Sequence, residues 1–152
     1  SKLLAETTPC AVRPCQQCDC PVTSKSAMPP ESTETMGAPG SVFAGNVEAL
    51  GSGHGGWFFG HFMTEPGLTS VHLEMKWGRH AAGESRPQPC PGRPVTSLSV
   101  LVSGDFVLLF PDRECRLRLP GDFALWGPGV PHGWRAAADS VVLTVRWPSL
   151  PA

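Results

Sequence analysis

A histidine and a glutamate four residues apart, His80 and Glu84, stand ahead of two apolar segments. A second histidine, His132, follows those segments after a Gly-Asp turn and a Pro-Gly-Val-Pro corner. Two imidazoles and one carboxylate form the facial triad that suits non-haem iron and related divalent metals. The three side chains meet only if the intervening strands roll the chain back on itself. Given that closure, His80, Glu84 and His132 would hold iron, manganese, zinc or nickel, with open positions for water, oxygen or a chelating small molecule. The plain alternative is a barrel that keeps three polar residues and binds nothing.

Strands are the elements the sequence offers to bring these residues together. No window sustains helical periodicity, whereas short apolar runs recur between Gly- and Pro-rich turns. Strands are expected at 57–63, 69–77, 97–103, 105–110, 114–119, 123–126 and 140–147, with 85–95 a loop because of Pro87, Pro89, Pro91 and Pro94. Alternation in 69–77 puts Val71, Leu73, Met75 and Trp77 on one side and His72, Glu74 and Lys76, which share the parity of His80, on the other. The latter three face solvent if Gly78 allows a bulge and enter the space of the site if the strand runs unbroken, the solvated face being the default. The same rule gives a core of Leu98, Val100 and Val102, of Phe106, Leu108 and Phe110, and of Val141, Leu143 and Val145. His61 shares a strand face with Trp57 and Phe59 and is expected to be a packed, hydrogen-bonded residue. Such spacing belongs to an all-β sandwich or jelly-roll barrel.

Composition narrows the function classes. The 152 residues carry a formal charge of −1 with both signs interleaved, so no basic stripe exists for nucleic acid. No apolar run is long enough to span a membrane as a helix, which predicts a soluble or peripheral protein. Gly and Pro number 17 each, well above ordinary usage. Residues 1–56 read as an extended Pro-, Gly- and Cys-rich arm, 57–148 as the barrel and 149–152 as a tail. An arm of this composition becomes ordered by docking, so a protein partner is expected to contact residues 1–50. The chain starts at Ser1, which fits a presequence removed on import into an organelle.

Cysteines give a separate signal. Cys10, Cys15 and Cys18 have the spacing C-x4-C-x2-C, with Cys20 close behind. This opens the plant-type two-iron ferredoxin pattern and also contains the C-x2-C pair of a loose zinc knuckle. No glycine lies among the four and Pro14 stiffens the loop, which argues against an iron-sulfur cluster. Free thiols, disulfides and a metal site all stay open for Cys10, Cys15, Cys18 and Cys20.

Residues 57–148 resemble the cupins, small jelly-roll barrels of the RmlC-like kind, and are similar to uncharacterised single-domain bacterial members. Gly121, Gly129 and His132 stand in register with the second cupin motif, where Gly127 replaces its Pro and Ala136 its Asn. His80 and Glu84 match the second His and the Glu of the first motif, while Gly78 occupies the place of its first His. The resemblance implies a cupin-type jelly roll with a divalent-metal site and a small-molecule dioxygenase or isomerase activity. It leaves a second class open. In that class the barrel is a non-enzymatic peripheral subunit of a large photosynthetic or respiratory complex, docked through its N-terminal arm.

Overall fold

The computed structural model describes residues 42–151, without the side chains at 88–90. Cys10, Cys15, Cys18 and Cys20, and most of the arm, therefore lie outside the described residues. A five-residue helix, α1 (Val47–Gly51), opens the described chain and runs into a 3-10 turn, Ser52–His54. Asn46 caps α1 by accepting hydrogen bonds from the Glu48 and Ala49 amides at 2.9 and 3.2 Å. No helix among the described residues is long and apolar enough to cross a membrane.

Nine strands follow: β1 (Trp57–Phe59), β2 (Glu74–His80), β3 (Ser85–Cys90), β4 (Thr96–Ser103), β5 (Phe106–Leu109), β6 (Glu114–Leu117), β7 (Phe123–Trp126), β8 (His132–Ala136) and β9 (Ser140–Trp147). They form two antiparallel sheets, ordered β1-β2-β9-β4-β7 and β3-β8-β5-β6. This is the expected cupin-type jelly roll. β9 lies between β2 and β4, with Leu143 opposite both Trp77 and Val100. That pairing sets the His80 strand beside the central strand β9 of the larger sheet, while His132 opens β8 in the facing one.

Several elements differ from expectation: β2 covers Glu74–His80 in place of 69–77, and β8 forms at His132–Ala136, where no strand was expected. The first strand stops at Phe59 because Gly60 turns at φ 147°, where a Cβ would lie 2.6 Å from Phe62 Cε1. Residues 85–90 form a strand in spite of their prolines. β3 is an edge strand paired only with β8, so a proline nitrogen can face away from the ladder.

The larger correction concerns which strand face is inside. On β4 the buried residues are Ser97, Ser99 and Leu101, and on β9 Val142 is buried with Ser140. Leu98, Val100, Val141, Leu143 and Val145 thus belong to the outer face, the reverse of the expected core. On β2 it is Glu74 that is buried, while Lys76, Gly78 and His80 line an internal cavity. His72 and Val71 lie before the strand and are exposed. A period of two residues fixes that alternate side chains share a face; it does not say which face is inside. Here the inner wall of β2, β4 and β9 is polar because it bounds a cavity.

Apolar packing fills the rest of the barrel. Leu101, Phe106, Leu108, Leu117, Trp126 and Val142 form one buried cluster, with Phe106 stacked on Trp134 at 5.6 Å. The outer face of the large sheet leaves Phe123 64% and Leu125 57% exposed on the edge strand β7. At the other side of that face, Glu48 of α1 accepts hydrogen bonds from Trp77 Nε1 and Arg79 Nε. This inside-out assignment predicts unequal losses. Leu101→Ala should lower the unfolding free energy by about 2–5 kcal/mol, and Leu125→Ala by less than about 1 kcal/mol. Urea denaturation of the two variants measures the difference, and equal losses would contradict it.

Candidate functional site

A cavity of about 140 Å³ lies between the sheets. His80 reaches it from the end of β2 and His132 from the start of β8, so two of the three expected ligands share one space. Each imidazole is fixed by aromatic neighbours. The His80 ring lies 4.3 Å from Trp134 and 4.9 Å from Phe106, and the His132 ring 4.7 Å from Trp126.

Burial is the main cause holding both imidazoles below their ordinary pKa. At His80 the Glu84 carboxylate pulls the other way, while Lys76 and Arg86 push further down. At His132 the Val130 carbonyl opposes burial, and Arg86 and Arg146 reinforce it. Both rings are therefore neutral near pH 7. His132 Nδ1 stands 3.3 Å from the Val130 carbonyl, which can only accept, so Nδ1 carries the proton and Nε2 keeps its lone pair.

Gly78, in the place of the first cupin-motif histidine, has a specific consequence. A Cβ there would lie 2.9 Å from His80 Nε2. The His80 ring thus leans over the space that a larger side chain would take. Its other nitrogen, Nδ1, faces Glu84 at 3.6 Å.

Glu84 is not among the residues lining the cavity. Its half-exposed side chain turns back to the β2–β3 turn, where it accepts a hydrogen bond from the Ala81 amide at 3.0 Å. Among the described residues, no group of three or more His, Cys, Asp or Glu side chains is placed to hold a metal ion. What remains on the cavity wall is two neutral imidazoles accompanied by Lys76, Arg86, Arg93 and Arg146. Among the described residues the wall offers a divalent cation two imidazoles and no carboxylate, which falls short of the donor set such an ion takes.

Those cations, with Ser97, Ser99 and Thr144, are the cavity residues that strand patterning assigned elsewhere or left aside. Their signal was present as Ser97-x-Ser99 and Thr144-x-Arg146, polar pairs at strand spacing inside otherwise apolar runs. Behind the wall, buried Glu74 meets Arg146 Nε at 2.6 Å and Arg93 at 3.9 Å. Arg146 also covers the Trp57 ring at 3.8 Å. His61 is packed and hydrogen-bonded as expected: its Nδ1 lies 2.7 Å from Ser149 Oγ and 3.8 Å from Glu74.

No family model and no curated protein matches the chain. Solved structures do. KdgF from Halomonas sp. is 22% identical with a TM-score of 0.48, over 52% of this chain and 71% of that one. A cupin superfamily protein from Desulfitobacterium hafniense is 19% identical with a TM-score of 0.47, over 51% and 69%. The DMSP lyase DddQ from Ruegeria pomeroyi is 23% identical with a TM-score of 0.47, over 55% of this chain and 43% of that one. The likeness is one of fold alone.

Depressed imidazole pKa values make stability depend on pH with a definite sign. The folded pKa of His61, His80 and His132 lies below the ordinary 6.5 of the unfolded chain. Below 6.5 the unfolded state binds protons first, so the contribution present above that value is lost as pH falls towards the folded pKa values. Urea midpoints should drop between pH 7.5 and pH 5, less steeply in His132→Gln. A flat profile over that range would contradict the burial of the three rings.

Proposed function

We propose that this chain is a small-molecule cupin whose cavity works by proton transfer at His80. The observation that carries the reading is the orientation of that ring, with Nδ1 towards Glu84 and Nε2 over Gly78 on the cavity wall. A carboxylate beside Nδ1 keeps the proton there and leaves the Nε2 lone pair as a base. Burial keeps the ring neutral at working pH, and Glu84 stabilises the imidazolium that forms once a proton is taken. Glu84 is then a positioning residue for His80. His132, neutral and fixed by the Val130 carbonyl, offers a second Nε2 to accept a hydrogen bond from the ligand.

A proton removed from one ligand atom by His80 and returned to another is an isomerisation and needs no co-reactant. Among the two activities that the resemblance implies, this favours the isomerase. The dioxygenase branch needs Glu84 to leave the Ala81 amide and join His80 and His132 around a metal. The peripheral-subunit alternative rests on an arm of which residues 1–41 lie outside the described ones.

Nitrogen-15 NMR of the imidazoles separates these readings. Both His80 and His132 should appear as neutral Nδ1–H tautomers at pH 7.5, and Glu84→Gln should lower the His80 pKa further. Zinc or manganese additions should leave the two resonances in place. One equivalent of metal in the purified protein, lost in both His132→Ala and Glu84→Ala, would overturn the proposal in favour of the metal triad.

A further inference from the structure

The outer face of the larger sheet is apolar across four strands. Register sets Phe123, Val100, Leu143 and Trp77 in one row from β7 to β2, and Leu125, Leu98 and Val145 in the next. Phe123 and Leu125 are exposed and the others half-buried. Among the described residues, the one charge at the outward positions of these strands is Arg79, which is paired with Glu48 of α1. An antiparallel sheet with one face in water usually turns its polar residues to that face. Here the polar positions of β2, β4 and β9 are turned to the cavity, so the apolar ones are left outside.

The margin of this face is also uncharged. Among the described residues β7 pairs with β4 alone, and its Phe-Ala-Leu-Trp sequence has neither a charge nor a proline to keep another chain away. Summed over β2, β4, β7 and β9 at ordinary strand rise and spacing, the face covers roughly 400 Å² in plan. Its accessible area is larger, because the side chains stand up from the sheet. That is the scale of weak, reversible protein contacts, which bury up to about 600 Å² on each partner.

We infer that two copies of this chain pack these faces together, like the two sheets of a sandwich. A second copy brings the same apolar rows and no opposing charge. Residues 1–41 of the chain itself match the face less well, having no aromatic residue and large aliphatic ones only at Leu3, Leu4, Val12, Val22, Met28 and Met36. A lipid surface is met by an apolar face bordered with basic residues, whereas Arg79 here is held by Glu48. The cavity lies on the other side of the sheet, so this inference stands apart from the proton-transfer reading.

Sedimentation velocity of the full chain is the test. A contact of this modest size predicts a monomer at ~1 μM and a dimer at ~200 μM. Leu125→Glu at the edge and Val100→Glu in the middle of the face should each raise the dissociation constant about a hundredfold, because each buries a carboxylate without a partner. Circular dichroism checks folding, so a defect in one variant leaves the other readable. Arg113→Ser, in the β5–β6 turn of the other sheet, should change nothing. A monomer at every concentration would overturn the inference and leave the face to residues 1–41 or to a different protein. A dimer kept by both face variants, or lost in Arg113→Ser, would overturn it too. Loss in Leu125→Glu with retention in a folded Val100→Glu would replace face packing by pairing of β7 edges.

Discussion

A carboxylate sealed inside a sheet must be met by positive charge, or burying it costs several kcal/mol. In this barrel Glu74 is the sealed carboxylate, and Arg146 meets it at 2.6 Å with Arg93 behind at 3.9 Å. Those contacts tie the first residue of β2 to the end of β9 and to the loop that enters β4. Ser149 donates to Glu74 at 3.2 Å and also binds His61, while Arg93 donates to the Leu150 carbonyl at 2.6 Å. One acidic residue thus closes an end of the barrel by gathering the tail, the loop after β1 and the two long strands.

From that constraint follows the character of the inner wall. With Glu74 inside, the period of two places Lys76, Gly78 and His80 inside as well, because they share its strand parity. Antiparallel register carries the same choice across β9 and β4, where Thr144 lies opposite both Lys76 and Ser99. Apolar residues of these strands are then turned outward, which is why Phe123 and Leu125 meet solvent at the β7 edge. Hydrophobic burial comes mainly from β5 to β8, around Phe106, Leu117 and Trp126, joined by Leu101 of β4 and Val142 of β9. The cavity forms where the polar wall faces this aromatic one.

Much of the strand layout was legible in the sequence, since segments such as 97–103 and 123–126 are bounded by Gly and Pro turns. The association of His80 with His132 was legible too, through the spacing of the two cupin-like motifs. The inward face was not. Leu98, Val100 and Val145 look like core residues, and a polar cavity reverses the usual rule that the apolar side points in. β3 was hidden by its prolines, whose exclusion from sheets does not extend to an edge. The orientation of Glu84 could not be read either, because a glutamate that accepts from its own turn and one that faces a cavity have the same spacing from His80.

The most direct measurement is a double-mutant cycle between Glu74→Gln and Arg146→Gln, read as unfolding free energy in urea. A buried pair on the inner wall predicts single losses of about 3–5 kcal/mol each and a double variant less damaged than their sum by more than ~1 kcal/mol. Single losses within about 1 kcal/mol, adding without coupling, are what a solvent-facing pair gives, and they would contradict the polar inner wall on which the cavity depends.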